Sequence, residues 1–400
     1  VDITMNEAPA GVRRGSMVAL FAAVAFMNTG MVGASTAGTL IASHGEGPGW
    51  SGSPNAAGVL GTALGALASG VLMARRGRRF ALLTLYGLAV AGAVLAFAGA
   101  VAATLPALLA GMALLGLGNG GAQLSRYAAA ELYPAERRGF GLSVIVWAGT
   151  VGALAGPALI APAARAAERL MLPGLSGPIA ASALVTAAAV AATALLPRTV
   201  TAQGTERPPG LSLSMVGTAL RRPLVRTPLV AMMAAQMAMV AVMTMTPVQL
   251  HLHGHGLDVV GWVLSAHLIG MFALAPLSGW IADHWDGRVT IGCGIAVLMT
   301  AATTAMAAPT AHASGLPLAL FLLGYGWNLM IVGGSSLLSG HLVAEERTQV
   351  QGVVDALVWS AAAIGSLVAG PLFGSGGYSL VAALAGTLAL ASLAPLARRR

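Results

Sequence analysis

The sequence predicts an all-α membrane protein: twelve transmembrane helices in two pseudo-symmetric six-helix bundles, with both termini in the cytoplasm. Three observations carry this. Only 8% of the 400 residues are charged and 57% are hydrophobic, whereas a soluble domain carries about a quarter charged residues to cover its water-facing surface. Apolar runs of about 20 residues, each long enough to cross a hydrocarbon core of roughly 30 Å, recur along the whole length. A polar, proline-rich segment near the middle divides these runs into two sets of six.

Taken in order, the runs predict helices at 16–42, 55–74, 80–101, 105–128, 141–163, 175–196, 228–250, 258–282, 289–308, 316–340, 351–373 and 378–396. These define an N-terminal bundle (1–196), a cytoplasmic linker (197–227) and a C-terminal bundle (228–400). Within the linker, Leu211–Arg222 reads as a short amphipathic helix lying on the membrane surface. The polar first 15 residues and the length of the first apolar run argue against a cleavable signal peptide.

Charge orients the chain. All 21 basic residues are arginines, and they cluster in short loops between apolar runs rather than on one face of a domain. With the amino terminus inside, the inner loops hold Arg13, Arg14, Arg75, Arg76, Arg78, Arg79, Arg137, Arg138, Arg288, Arg347 and the linker arginines, leaving only Arg165 and Arg169 outside. That asymmetry is the positive-inside pattern of a bacterial cytoplasmic membrane. It accounts for the sequence pI of 10.9 without nucleic acid. The single cysteine, Cys293, excludes an internal disulfide. No nucleophile–base pair or hydrolytic metal motif lies within the spans, so an enzyme is not expected. The expected partners are the bilayer and one small substrate, with the protein a monomer and no bound cofactor.

The halves are related. A shift of 212 residues lays Val18, Ala19, Ala22, Ala23, Met27 and Met31 on Val230, Ala231, Ala234, Ala235, Met239 and Met243. Six plus six with an internal repeat is an architecture of secondary transporters. The loops carry a resemblance. "GVLMARRGRR" (70–79) resembles the signature loop after the second helix of the major facilitator superfamily, with Ala74 where that family has an aspartate. "GWIADHWDGR" (279–288) is its counterpart in the second half, keeping Asp283 but adding a residue before Gly287. "AAELYPAERRGFGLS" (129–143) resembles the family's connection between helices four and five. The resemblance implies alternating access about a midplane site. It also implies gating loops that hold the cytoplasmic ends together, here Gly70, Arg75, Gly77, Arg78, Gly279, Asp283, Gly287 and Arg288, with Asp283 and Arg288 as the better-equipped latch. "GLGNGG" (116–121) satisfies a dinucleotide-binding pattern, but without a preceding strand it reads as close helix packing.

Candidate substrate ligands come from "MVAVMTMTPVQLHLHGH" (239–255) and "SAHLIGMFALAP" (265–276). Met239 and Met243 are four apart and share a helix face, as do His267 and Met271. At 1.5 Å per residue Met239 and His267 fall at nearly one depth, with Met271 deeper and Met243 nearer the outside. Thioethers bind hard cations poorly and suit Cu(I), with imidazole compatible. A histidine inside a membrane helix is costly without a partner. The spacing resembles the CcoA-like copper importers of the superfamily, whose proposed ligands carry over to Met239, Met243, His267 and Met271; a related branch is associated with riboflavin uptake. Met27 and Met31 are possible further ligands from the pseudo-repeat. His251, His253 and His255, alternating as if on a strand, with His44 on the same side, suggest a metal-gathering entrance. Copper uptake, as Cu(I) or a small copper complex, is the leading expectation. The alternatives are a proton-coupled exporter of a hydrophobic drug or secondary metabolite, with methionines as cavity wall, and a metal-binding sensor or assembly factor that moves nothing. Asn119 and Asn328, in corresponding helices, are expected to bridge helices.

Overall fold

A computed structural model describes residues 10–130, 132, 138–197, 213–309, 315–341 and 344–397. Apart from short connections, one of them a 3-10 turn at Pro48–Trp50, the described residues are α-helical: α1 (Ala10–Glu46), α2 (Ser53–Arg76), α3 (Arg78–Val101), α4 (Leu105–Ala130), α5 (Arg138–Arg169), α6 (Ser176–Ala194), α7 (Leu213–Arg221), α8 (Pro223–Leu252), α9 (Leu257–Phe272), α10 (Ala275–Trp285), α11 (Gly287–Ala307), α12 (Gly315–His341), α13 (Ala344–Ala391) and α14 (Leu393–Ala397). Among the described residues eleven stretches are long and apolar enough to cross a bilayer, and the last of them, Val353–Ala391, has 39 residues. That run is about 58 Å long, roughly two hydrocarbon thicknesses, and it kinks at Gly377, where φ is 67°. It therefore holds two spans, and the count is twelve. The short helix expected in the linker is α7.

Two compact units result. Residues 10–45 and 57–197 form the first, and residues 46–56 and 213–397 the second. The assignment of 46–56, the connection from α1 to α2, to the second unit departs from a simple division at the linker. Its cause is a set of buried contacts. Asn55 Nδ2 donates to Ser366 Oγ at 3.0 Å and to Thr244 Oγ1 at 3.3 Å. Ser366 Oγ donates to the Gly52 carbonyl at 2.8 Å. Gly52 and Gly370 press so closely on the Ser366 and Gly49 carbonyls that a Cβ at either position would collide.

In the first unit, small residues let backbones meet. Gly116 and Gly120 of α4 face the Gly58 and Thr62 carbonyls of α2, and Gly118 faces Ala89. The "GLGNGG" run is thus a packing seam. Asn119 Nδ2 donates to Thr62 Oγ1 across it at 3.2 Å, the expected bridge. Thr29 of α1 donates to the Gly152 carbonyl of α5, and Ser182 of α6 to the Gly30 carbonyl of α1. Leu60, Leu64, Leu67 and Val71, one stripe of α2, stay exposed and suit contact with lipid.

Candidate substrate-binding site

The candidate ligands of the second unit sit on two helices, α8 and α9, with α12 as their common neighbour. Helices α8 and α9 both pack along α12 and meet each other only slightly. On α8, Met232 contacts Gly334 and Gln236 Oε1 accepts a hydrogen bond of 2.7 Å from Trp327 Nε1. Met239 and Met243 follow at i+7 and i+11 from Met232, so all four share the stripe turned to α12. Met239 is buried and Met243 half-buried. On α9, His267 Nδ1 lies 2.9 Å from the Leu320 carbonyl, and Met271 packs against Gly324. Both pairs of candidate ligands therefore face α12, one from each side.

The depths differ slightly from expectation. Helix α8 runs antiparallel to α12, and the Gln236–Trp327 bond sets their register. Counting from it brings Met239 level with Met271, and Met243 level with His267, about one turn from the expected order.

His267 is fully buried. A carbonyl only accepts, so the contact with Leu320 places the proton on Nδ1 and leaves the lone pair on Nε2. That Nε2 is buried and has no hydrogen-bond partner. This is the arrangement typical of a ligating histidine, whose other nitrogen is held by a backbone carbonyl. It serves equally as an acceptor for an N–H or O–H of an organic molecule.

Met27 and Met31 have different surroundings. Both are buried in the core of the first unit. The Met27 methyl lies against Gly118 and the Met31 methyl against Gly58, each in the notch a glycine leaves. The outer histidines do not form a strand. His251 is in the last turn of α8, His253 caps it with Nδ1 2.8 Å from the Gln249 carbonyl, and a turn at Gly254 (φ 78°) follows. Helix propagation past Pro247 overrides the alternation that suggested an extended segment. Among the described residues no three His, Cys, Asp or Glu side chains converge in a metal-holding group. His44 lies in the last turn of α1, with Nδ1 2.7 Å from the Leu40 carbonyl.

The loop residues take up similar turns with one shift. Gly70 and Arg75 lie in α2, Gly77 (φ 79°) links α2 to α3, and Arg78 opens α3 half-buried. In the second half Gly279 and Asp283 lie in α10, and Asp286, not Gly287, takes the positive φ, at 84°. Gly287 is instead needed for packing, against Gly333 and Leu337 of α12. The extra residue before Gly287 thus moves the turn onto an aspartate. Asp283 is exposed and makes no ion pair with Arg288.

Sequence reasoning missed two features: the Gln236–Trp327 pair, and an interruption between α9 and α10 where one helix over 258–282 was expected. The second coincides with Pro276, which has no N–H to give the Phe272 carbonyl.

Twelve apolar helical arms in two six-helix halves, with polar side chains gathered inside the second half, define a polytopic membrane protein of the six-plus-six class. The chain belongs to the Major Facilitator Superfamily, whose family model matches residues 18–257 and 253–400. It is 29% identical over 355 residues to the uncharacterized MFS-type transporter YddS of Bacillus subtilis (strain 168), covering 85% of this chain and 81% of that one. It is 25% identical over 347 residues to the riboflavin transporter RfnT of Brucella anthropi, covering 85% and 84%. Among solved structures, the nucleoside transporter NupG superposes with a TM-score of 0.73 at 13% identity, covering 95% of this chain and 99% of that one. A D-xylose–proton symporter superposes with a TM-score of 0.71 at 17% identity, covering 95% and 96%. The protein is a multi-pass membrane transporter of bacterial type.

Proposed function

We propose that this carrier takes up copper, as Cu(I) or a small copper complex, through Met239, Met243, His267 and Met271, in the cytoplasmic membrane of a bacterium. The observation that carries the reading is His267: buried, its tautomer set by the Leu320 carbonyl, with an Nε2 lone pair that no protein group uses. An unmet acceptor at such a place costs free energy unless something binds it, and three thioethers on the neighbouring faces make a soft cation the fitting occupant.

A second reading has its own support. The relative RfnT is a riboflavin transporter, and the same Nε2 would accept a ring N–H, with Tyr325 and Trp327 of α12, both half-buried, five and seven positions past Leu320. Under it the methionines are adaptable wall and a hydrophobic export substrate is equally compatible.

The test is uptake of radioactive copper and of labelled riboflavin by cells with and without the protein, alongside Met239→Leu and His267→Ala. Carrier-dependent copper uptake that falls at least about tenfold in both variants, one tenfold being about 1.4 kcal/mol, supports the copper reading. Riboflavin uptake that survives Met239→Leu but not His267→Ala replaces it with the organic one. Cell copper that drops when the protein is present keeps the metal and reverses the direction. Copper bound by the purified protein without flux in any assay indicates a sensor or assembly factor.

A further inference from the structure

The interruption between α9 and α10 lies inside the membrane. Phe272 is fifteen residues past Leu257, the first of α9, which places it about 22 Å along the span. The first half-helix ends with Ala273 N–H donating to the Ile269 carbonyl at 2.8 Å, and the second resumes with Ser278 N–H donating to the Leu274 carbonyl at 3.1 Å. Between them Pro276 offers no N–H, so the Phe272 carbonyl has no helical donor. The end of α9 therefore presents carbonyl oxygens and the negative pole of a helix dipole at membrane depth. Such a break is tolerated there only where protein or a water-filled cavity covers it.

A second, independent feature faces the same level. Helices α9 and α12 run parallel, and two contacts set one register: His267 meets Leu320 and Met271 meets Gly324, each 53 positions on. The next step pairs Ala275, the first residue after the break, with Asn328. Helix α10 continues the packing on α12. Asn328 is 7% exposed, and its Oδ1 is buried without a partner. Its counterpart Asn119 donates through Nδ2 to Thr62 across a helix seam, and its Oδ1 is likewise buried without a partner; only Asn328 lies level with a break in the neighbouring helix.

We propose that the α9–α10 break is a monovalent-cation site that takes Na⁺, built from the last carbonyls of α9 and Asn328 Oδ1. The ligands are neutral oxygens aided by the helix C-terminus, the arrangement by which broken helices in transporters hold coupling ions. Among the described residues no Asp, Glu, Lys or Arg side chain is buried, so nothing at this depth offsets a divalent charge. An amide oxygen is not a base, so a proton does not fill the place either. Sodium entering here is positioned one turn from Met271 and two from His267, on the same helix that carries the candidate substrate ligands. The inference is independent of what the carrier moves.

The test needs no substrate, so it stands or falls apart from the copper reading. Thermal unfolding of the full-length protein in detergent is compared in NaCl, KCl and choline chloride at equal ionic strength. NaCl at about ten times its dissociation constant raises Tm over choline by about 2 °C. Asn328→Leu abolishes that difference, and Asn119→Leu keeps it. Equal Tm in NaCl and choline overturns the site, as does a sodium effect that persists in Asn328→Leu; an equal effect of KCl overturns the assignment to Na⁺. Saturable ²²Na⁺ binding to the wild-type protein provides a reading that no variant's folding can obscure, and its absence refutes the proposal.

Discussion

Asn55→Ala measures what holds the 46–56 segment in the second unit. The change removes two side-chain hydrogen bonds, to Ser366 Oγ and Thr244 Oγ1. At about 1 kcal/mol net each, the loss is about 2 kcal/mol. The bond from Ser366 to the Gly52 carbonyl survives, so the segment still docks, but its lifted state becomes about 30-fold more populated. Met245 is a natural reporter, because it is fully buried and its Sδ accepts a 3.3 Å hydrogen bond from Ser51 Oγ of the same segment. In a Cys293→Ser background, Met245→Cys places a thiol under the segment. In detergent, where opening is fast relative to labelling, maleimide reacts at a rate proportional to the open population. Asn55→Ala should therefore accelerate labelling about 30-fold. A cysteine at Met330, fully buried against Gly294 elsewhere in the same unit, separates segment opening from global unfolding. A rate changed by less than about twofold, or an equal acceleration at both cysteines, would refute the assignment of these two bonds as the hold on the segment.

Two further outcomes follow from local geometry. Asp286 has φ 84° and ψ 149°, a region that costs a residue with a side chain about 1–3 kcal/mol. After the extra chain entropy that glycine loses, Asp286→Gly should stabilise by about 1 kcal/mol, read as a raised Tm; a lower Tm would mean that the carboxylate has a role the turn geometry does not reveal. Met27→Ala empties the space beside Gly118 and should destabilise by about 2–4 kcal/mol, while Met27→Leu should cost less than about 1.5 kcal/mol and leave copper uptake intact. Copper uptake lost in Met27→Leu at normal stability would make Met27 a ligand instead.

The sequence made the spans legible because length and apolarity are what a bilayer selects. Even α13, one continuous helical assignment, was readable as two spans across Gly377. The break after Phe272 was not readable from its proline. Pro157, Pro162, Pro228, Pro247 and Pro371 all sit inside helices that continue past them. Whether a proline interrupts a span is decided by packing that the local sequence does not contain. The same holds for the 46–56 segment, whose partners Thr244 and Ser366 lie 189 and 311 positions from Asn55. The histidine alternation misled for the opposite reason: a period of two is a strand signal only when no helix is already propagating into it.

The methionine repeat shows how far internal similarity reaches toward function. Met27 and Met31 match Met239 and Met243 in sequence, yet the first pair fills notches at Gly118 and Gly58. Neither of those glycines is itself the source of a polar group. The second pair lies on the α8 stripe that meets α12, together with Gln236, and across α12 stands a histidine with an unused lone pair. At the position 212 before Gln236 the first half has Val24, and the loop register that lays Gly70 on Gly279 puts Gly58 opposite His267. The repeat thus preserves the thioethers while replacing the polar groups around them, and those polar groups decide whether a thioether is wall or ligand. Chemistry is expected in the half where Gln236 and His267 flank α12 and Asn328 lies on it, and variants of the first-half methionines should register as stability rather than selectivity.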